Sequence, residues 1–421
     1  MSKPLVMLLA GGGGTRLGTL VKRRAKPAVP FAGRYRIIDF ALSNVMHAGL
    51  DWVGVLTQYK PLSLMRHLGV GGAWNLRGRR RGIRILPPRT GEDASDWYRG
   101  TADAVWQNID FMRQMRPERV LILSGDHIYR MDYQRMLAEH LERRADLSIA
   151  LMEVAAEDTS RFGMVWTEAD GTIVRFEEKP AAADTRLASM GIYLFEWDCL
   201  VEALERVVAT RQGFDFGFDI MAGLLDRRRV VGHSFDGYWR DVGTVSSYFA
   251  ANMDALDPDS GVDLDRWEIC TRDEQDPAGD RTPARFGGDA DCQQSLIAAG
   301  CRVDGRVVRS ILSPDVTIEP GAAVEDAILM NGCTVRAGAR VQRAVLDKQV
   351  EIGPGSAVNG GRATAANERY RKCQLDGLSV IGKGVRVPGG IALGAEVVIE
   401  AGVEPERFSG DLADGATLAA G

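Results

Sequence analysis

Two aspartates far apart in the chain, Asp126 and Asp241, are the side chains best suited to bind a divalent cation. Asp126 lies in the segment Gly125-Asp126-His127, directly after an apolar run, and Asp241 lies within residues 238–244. Magnesium needs only one or two protein carboxylates, because phosphate oxygens and water supply its other ligands. A lone aspartate after a strand is more often a helix N-cap, and that alternative stays open at this point.

A run of four glycines, residues 11–14, also follows an apolar run and is itself followed by Arg16. Glycines let the backbone come close to a ligand, and successive N–H groups can bind phosphate oxygens. The run is not a P-loop, since no Gly-Lys-Ser/Thr ends it, and Arg16 stands where a dinucleotide fingerprint needs its third glycine. The charges of Arg16 and of residues 22–26 favour a triphosphate site. A tight turn and a solvated basic loop remain the alternatives.

The elements that must position these residues alternate between strand-like and helix-like segments up to about residue 255. Short apolar runs, typical of strands buried on both faces, occur at residues 5–10, 52–58, 119–124 and 147–154. Amphipathic stretches lie between them at residues 37–48, 101–115 and 133–144. The repeated order predicts a three-layer α/β domain at residues 1–255. Ligands of such sheets bind beyond the carboxyl ends of the strands, where the glycine run and Asp126 fall.

The rest of the chain has a different pattern. Residues 256–290 are rich in Asp, Pro and Gly and are predicted to link two domains. In residues 291–421 aliphatic side chains recur every six positions, most clearly at Ile381, Val387, Leu393 and Ile399. This spacing is typical of a left-handed parallel β-helix, and an irregular β-rich tail is the weaker alternative because the spacing recurs in separate blocks. Residues 360–374 interrupt the series and are predicted to loop off the stack.

Composition restricts the class of protein. The chain has 421 residues, of which 45% are hydrophobic and 26% charged, a balance typical of globular domains. Its net charge of −5 argues against a protein that coats nucleic acid, and no apolar run approaches the roughly 20 residues that span a bilayer. The six cysteines form no C-x-x-C pair and no zinc spacing, which indicates reduced thiols in a cytoplasmic protein. We therefore expect neither a nucleic-acid partner nor a membrane association.

Several segments in order carry a family resemblance. The segment Gly-Gly-Thr-Arg-Leu at residues 13–17, with Lys26-Pro27, resembles sugar-nucleotide pyrophosphorylases in general. Residues 36–44, 97–104, 125–129 and 238–244 narrow the resemblance to bacterial glucose-1-phosphate adenylyltransferases, over residues 5 to about 350. The resemblance implies transfer of an adenylyl group from ATP to α-glucose 1-phosphate, which gives ADP-glucose and pyrophosphate for glycogen or a related α-glucan. It also implies a Rossmann-like nucleotidyltransferase domain followed by a β-helix domain.

The same resemblance implies roles for individual residues. Asp126, Arg16 and Lys26 would be catalytic, and Asp126 with Asp241 would bind Mg²⁺. The nucleotide would contact Leu9, Ala10, Gly11, Gly12, Gly13, Thr15, Arg16, Lys26, Gly100 and Asp126. Lys179 would hold the phosphate of glucose 1-phosphate as a point charge, and Glu178 would accept hydrogen bonds from sugar hydroxyls. The full set for that substrate is Tyr98, Gly163, Glu178, Lys179, Ser189, Tyr193, Asp215 and Trp239.

Regulation and assembly are implied in the same way. Arg23, Arg24 and Arg36 match family positions tied to activation and inhibition, which implies anionic metabolite effectors. The family is usually a homotetramer whose β-helix domain carries regulatory and subunit contacts, and we expect the same of this chain.

Departures from the family pattern leave alternatives open. Arg89-Thr90 stand where a Gln pair is usual near the nucleotide, so a hexose-1-phosphate nucleotidyltransferase that uses GTP, dTTP or UTP is one alternative. Phe218 stands where a Lys is usual, which leaves a non-catalytic regulatory subunit as another. The retained charged residues argue against a dead subunit, which has no chemical need for them. The basic stretch at residues 77–84 is most simply a solvated loop, with an anionic effector site as its alternative.

Overall fold

The structure, a computed structural model, describes residues 2–88, 97–210, 214–272, 281–359 and 361–420. They form two compact units. The first comprises the residues up to Gly12 together with Phe40–Gly125 and Tyr129–Gly237. The second comprises Gly13–Asp39, Asp126–Ile128 and Tyr238–Gly421. The chain therefore passes from one unit to the other inside the glycine run, after Asp39, on either side of Asp126–Ile128 and after Gly237.

A nine-stranded mixed sheet forms the framework of the first unit. Seven strands follow one another across it in the order Ile173–Glu178, Gly163–Thr167, Leu187–Glu196, Arg119–Ser124, Leu5–Leu9, Trp52–Leu56 and Gly82–Leu86. Leu147–Glu153 pairs with Leu187–Glu196, and Val230–Ser234 pairs with Leu147–Glu153. The central strand Leu5–Leu9 is parallel to both neighbours and reads as a continuous apolar run because both its faces are covered. The predicted α/β architecture is confirmed.

Helices cover this sheet. Their bounds are Ile37–His47, Leu62–Leu68, Thr101–Trp106, Ile109–Met115, Tyr133–Glu142, Trp197–Thr210 and Met221–Leu224, with shorter turns at Gly72–Trp74, Ala156–Arg161 and Phe216–Ile220. The single amphipathic stretch predicted at residues 101–115 is two helices. Asn108 separates them, since its side-chain amide donates to the carbonyl of Ala104 (2.9 Å) and to the Tyr98 hydroxyl (3.0 Å). A side chain that bonds backbone and neighbour in this way competes with a continuous helix.

Stacked parallel strands form most of the second unit. One sheet contains Arg285–Phe286, Arg302–Val303, Thr317–Ile318, Thr334–Val335, Glu351–Ile352 and Arg386–Val387. The other contains Asp291–Gln293, Leu296–Ile297, Arg306–Val308, Ile311–Leu312, Ala323–Leu329, Arg340–Leu346, Ala357–Asn359, Ser379–Ile381, Ala392–Leu393, Val398–Ile399 and Thr417–Leu418. Successive coils place aliphatic residues in register, as in the series Val303, Ile318, Val335, Ile352 and Val387. All five are buried, and burying each stabilises the fold by about 1.5–3 kcal/mol.

The coil series continues across the interruption near residue 360. Arg340–Leu346 pairs with Ala357–Asn359 at one end and with Ser379–Ile381 at the other. The intervening residues leave the stack and include the short helix Glu368–Cys373. The β-helix and the excursion predicted from the sequence are both confirmed.

Smaller elements complete the second unit. Pro30–Phe31 pairs with Tyr35–Arg36, and His127–Tyr129 pairs with Trp239–Asp241. The helical elements are Thr15–Val21, Lys26–Ala28, Val245–Asp254, Leu264–Trp267 and Pro405–Arg407. Leu264–Trp267 and Arg285–Phe286 lie in the segment predicted as a linker, and residues 273–280 of that segment are outside the described ranges. Across those ranges, no helix combines the length and the apolar character needed to cross a bilayer.

Candidate active site

Asp126 and Asp241 lie side by side in the second unit. The pairing of His127–Tyr129 with Trp239–Asp241 brings the two aspartates together. The ammonium of Lys26 lies between them, with Nζ 2.9 Å from Oδ2 of Asp126 and 3.0 Å from Oδ1 of Asp241. Lys26 itself is only 5% exposed. A cation therefore already occupies the point that both carboxylates face.

His127 adds a third potential ligand that sequence reasoning did not single out. Its Nε2 lies 3.5 Å from Oδ1 of Asp126 and 3.9 Å from Oδ1 of Asp241. One ligand atom from each of the three residues falls within 4.8 Å of the others. Two carboxylates and an imidazole suit a divalent cation. The spacing of the histidines gave no signal, because Asp241 is distant from His127 in sequence.

The electrostatics of this cluster favour the charged forms of Lys26 and Asp241. Burial acts to lower the pKa of Lys26, but the charges of Asp126 and Asp241 outweigh it and raise that pKa above its ordinary value. Burial acts to raise the pKa of Asp241, and Asp126 adds to this, but Lys26 and His127 bring the net shift downward. The site thus holds Lys26 as an ammonium ion and Asp241 as a carboxylate at neutral pH.

Two glycines allow the close packing around this cluster. Gly14 has a φ of 57°, and a Cβ added there would lie 2.9 Å from Cβ of Lys26. A Cβ added to Gly243 would lie 3.0 Å from Nη2 of Arg16 and 2.8 Å from Oδ2 of Asp241. The guanidinium of Arg16 therefore comes up beside Asp241 across Gly243. Sequence reasoning did not name Gly243, although it stands two residues after Asp241.

The first unit contributes the start of the glycine run. Leu9 ends the central strand, and its carbonyl accepts a hydrogen bond from the Gly125 amide at 2.9 Å. The Ala10 amide donates to Leu56 O at 2.9 Å. Apart from its chain neighbours, no heavy atom of the described residues lies within 4 Å of a Cβ added to Gly12, which leaves space beside the backbone at this position for a ligand. This edge is the carboxyl end of three parallel strands, where α/β sheets bind ligands. Gly13 and Thr15 belong to the second unit.

Glu178 occupies a narrow place between two glycines of the first unit. A Cβ added at Gly163 would lie 2.8 Å from its Oε2, and a Cβ added at Gly217 would overlap the same atom. Asp215 is close by. Its carboxylate accepts hydrogen bonds from the Gly217 amide (2.9 Å) and the Thr101 hydroxyl (3.2 Å), so it also caps the turn Phe216–Ile220. The sequence gave no signal of this capping role.

Lys179, Ser189 and Tyr193 surround the same region. Lys179 is largely exposed, has a φ of 47° and donates from Nζ to Oε1 of Glu178 at 2.6 Å. Ser189 donates to the Tyr193 hydroxyl at 3.4 Å, and the Tyr193 ring stacks on Phe216 at 5.6 Å between centroids. Burial raises the pKa of Tyr193 well above its ordinary value, so the phenol stays protonated.

Three other residues were expected to contact glucose 1-phosphate or the nucleotide, and each makes its own set of contacts in the structure. Tyr98 is buried, and its hydroxyl donates to Leu86 O at 3.0 Å. Gly100 packs against the carbonyl of Phe214, which leaves no room for a side chain. Trp239 belongs to the second unit, where its ring meets His127 edge-on at 5.1 Å between centroids. Arg89-Thr90 lie outside the described residues.

The predicted effector residues lie in a cationic region of the second unit. Arg24 is buried and contacts Asp347 at 2.6 Å, and Arg36 donates to Ala28 O at 3.1 Å. A Cβ added to Gly402 would lie 3.1 Å from Nη2 of Arg23. Lys348 is the residue of this region that sequence reasoning missed. Burial lowers its pKa to about 7, with the charges of Arg36 and Arg24 acting in the same direction.

The sequence of the chain is similar to that of known proteins. Residues 5–258 match the nucleotidyl transferase family, and residues 282–381 match the GlmU-like C-terminal hexapeptide family. The chain is 45% identical over 337 residues to a glucose-1-phosphate adenylyltransferase of Bacillus mycoides, which covers 79% of this chain and 88% of the relative. It is 46% identical, with the same coverage, to proteins of that name from Bacillus cereus and Bacillus anthracis.

Proposed function

Since the chain belongs to the nucleotidyl transferase family, and among its members to the glucose-1-phosphate adenylyltransferases, we propose that it joins ATP and α-glucose 1-phosphate into ADP-glucose and pyrophosphate. The observation that carries the proposal is the cluster of Lys26 between Asp126 and Asp241 with Arg16 beside it. Synthesis of glycogen or a related α-glucan is the use that this product serves.

The reaction is an in-line displacement at phosphorus. An oxygen of the sugar phosphate bonds to the α-phosphorus of ATP, and the bond from that phosphorus to the pyrophosphate oxygen breaks. Such a step needs cations at the transferring phosphoryl group rather than a protein nucleophile. Arg16 and Lys26 supply two fixed positive charges at the glycine run, whose amides at Gly11, Gly12 and Gly13 are suited to phosphate oxygens.

The divalent cation we propose is Mg²⁺, held by Asp126 and Asp241. When bound, it neutralises phosphate charge and orients the oxygens of the triphosphate. Lys26 Nζ contacts both of these carboxylates, so a bound cation would take the place of the ammonium there. The ammonium of Lys26 would then be available to the phosphates of the nucleotide.

Glucose 1-phosphate is proposed to bind the residues gathered around Glu178. The carboxylates of Glu178 and Asp215 accept hydrogen bonds from sugar hydroxyls, and Lys179 meets the phosphate from its exposed position. Ser189 and the protonated phenol of Tyr193 offer further donors, and Gly163 keeps the floor of the site open. Tyr98 and Gly100 support this region by packing, and Trp239 supports Asp241 through its contact with His127.

Replacement of Asp126 by Asn tests the proposal. We expect pyrophosphate release to fall by about 10²–10³-fold, because one ligand of the cation loses its charge, while the unfolding temperature stays within a few degrees. Asp226→Asn, at an exposed residue of the first unit, is the matched control and should retain full activity. A variant at Asp126 that turns over normally would contradict the metal assignment. Wild-type chain tested with ATP, GTP, dTTP and UTP should prefer ATP, and activity of the single purified chain excludes a non-catalytic subunit.

Effector binding and assembly form a separate part of the proposal. We propose that an anionic metabolite binds at Arg23, Arg24 and Arg36, because the charges near Lys348 are mostly positive. We also propose a homotetramer. Light scattering coupled to gel filtration measures the number of subunits directly. The effector site is tested with phosphorylated or carboxylated metabolites, which should change the reaction rate only when Arg24 is intact.

A further inference from the structure

Glu400, in the C-terminal coils, holds three side chains that come from two distant parts of the sequence. The residue is only 3% exposed. One carboxylate oxygen accepts from Nζ of Lys22 at 2.6 Å, and the other accepts from the Tyr370 hydroxyl at 2.7 Å and lies 2.8 Å from Nη2 of Arg369. Lys22 directly follows the helical segment Thr15–Val21, whose first turn carries Arg16. A buried carboxylate of the β-helix is thus bonded to the end of the segment that bears Arg16, the arginine proposed to bind phosphate.

The ring of Tyr370 closes on the same segment at Gly18. A Cβ added to Gly18 would lie 3.1 and 3.2 Å from two ring carbons of Tyr370 and 3.3 Å from Sγ of Cys373. Gly18 has a φ of 56° and interrupts the helical geometry of Thr15–Val21. Only glycine adopts this conformation at no steric cost, and only glycine leaves room for the ring. The kink and the ring therefore fit each other.

Backbone contacts extend this attachment on both sides. The Thr19 hydroxyl accepts a hydrogen bond from the Ala401 amide at 3.2 Å, and Sγ of Cys373 lies 3.9 Å from Thr15 O. Gln374 O accepts from the amide of Ser246 at 3.1 Å, in the first turn of the helix that follows Asp241. The excursion from the β-helix consequently contacts the two chain segments that carry Arg16 and Asp241.

We propose that Arg369, Tyr370, Cys373 and Glu400, termed the clasp, position Arg16 for the triphosphate of the nucleotide. The inference rests on the proposed function and adds to it a role for the C-terminal coils. The clasp residues are positioning residues, because three of them contact the segment at Gly18, Thr15 and Lys22. The fourth, Arg369, contacts Glu400. Fixing the segment before the nucleotide arrives reduces the ordering that binding must otherwise supply.

Glu400→Gln tests the proposal while keeping the shape of the side chain. We expect the KM for ATP to rise about fivefold to tenfold, because two charge-assisted contacts are weakened, with the KM for glucose 1-phosphate within about twofold of wild type. A merely structural role would change both constants together. Glu368→Gln, at an exposed residue of the same excursion that pairs with exposed Arg371, is the control and should leave both constants unchanged. Equal KM values for ATP in Glu400→Gln and wild type would overturn the proposal.

Hydrogen exchange of the full chain without substrates gives a second readout. Peptides covering residues 13–22 should exchange faster in Glu400→Gln and in Tyr370→Phe than in wild type, and peptides from the central sheet should be unchanged. Adding Lys22→Met to Glu400→Gln should change the exchange little further, since Glu400→Gln has already weakened the contact with Lys22. Unchanged exchange in the soluble Tyr370→Phe chain refutes the clasp even where Glu400→Gln fails to fold. Absence of nucleotidyl transfer in the wild type would reject the proposed function, while the exchange result still decides the clasp.

Discussion

Lys26→Met is the perturbation whose effect follows most directly from the geometry. The change removes the ammonium between Asp126 and Asp241 and leaves two partly buried carboxylates facing each other, with side chains 29% and 15% exposed. Breaking a buried ion pair from one side costs about 3–5 kcal/mol, and after a discount for the partial exposure of Asp126 we expect a loss of about 2–3 kcal/mol in stability. The catalytic rate should fall by about 10²–10³-fold as well, since a fixed cation at the phosphates is lost.

Mg²⁺ should partly reverse the loss of stability. A ligand present at 100 times its dissociation constant stabilises the folded protein by about 2.7 kcal/mol, which is close to the loss expected from Lys26→Met. Thermal unfolding with and without Mg²⁺ should therefore show a larger magnesium-dependent rise in the variant than in wild type. Lys3→Met is the matched control, because the Lys3–Asp51 ion pair is exposed and contributes little. Equal magnesium dependence in variant and wild type would refute the claim that ammonium and metal share one position.

The difference in stability between wild type and Lys26→Met depends on pH, and the direction of that dependence follows from the two pKa shifts. The pKa of Asp241 is lowered from 3.8 in the folded protein, so its contribution is present above that value and is lost as the pH falls through the lowered pKa. The pKa of Lys26 is raised from 10.5, so its contribution is present below 10.5 and is lost at higher pH. The stability gap between wild type and Lys26→Met should thus be widest between about pH 4 and pH 10 and narrow outside that window.

Two further substitutions test other parts of the structure. Lys348→Met should stabilise the protein, because the pKa of Lys348 is lowered to about 7 by burial and by Arg36 and Arg24. Between pH 7 and 10.5 the unfolded chain binds a proton at this lysine that the folded chain lacks. The gain in free energy of unfolding is therefore a few kcal/mol, is about its largest at pH 7 and disappears toward pH 10. If the unfolding temperature of the variant exceeds that of wild type by the same amount at pH 7 and at pH 9.5, this explanation is contradicted. Gly217→Ala should raise the KM for glucose 1-phosphate about tenfold and leave that for ATP unchanged, since the added methyl displaces Glu178; an unchanged sugar-phosphate constant would remove Glu178 from the proposed site.

The strands were predictable because their pattern is local. The apolar run at residues 119–124 is the strand Arg119–Ser124, and the run at residues 5–10 is Leu5–Leu9. The six-residue series beyond residue 291 likewise gives the coils, since each coil repeats the same inward position. Patterns of this kind depend on neighbours in sequence, which the chain itself displays.

Features that depend on distant residues were not predictable from single positions. His127 gave no signal because one of the two carboxylates it faces belongs to Asp241, which is distant in sequence. The division at Asn108 depends on the Tyr98 hydroxyl, and a hydrophobic pattern contains no information about that bond. The contact of Arg24 with Asp347 joins residues more than 300 positions apart. The basic segment of the N-terminal region therefore packs against the β-helix within the second unit. The proximity of Asp126 and Asp241, by contrast, was expected from a resemblance that spans both segments.

The uninterrupted ladder beneath the excursion has a consequence for engineering. Ile352 stacks on Val387 although the two are about twice as far apart in sequence as the preceding partners. The stacking of these strands therefore does not depend on the length of the chain segment between them. Peptides inserted near Ala363, ahead of Arg369, should leave the aliphatic column undisturbed and could carry fluorescent labels. Deletion of the excursion should also leave the column intact, but it would remove the contacts that hold the segment bearing Arg16.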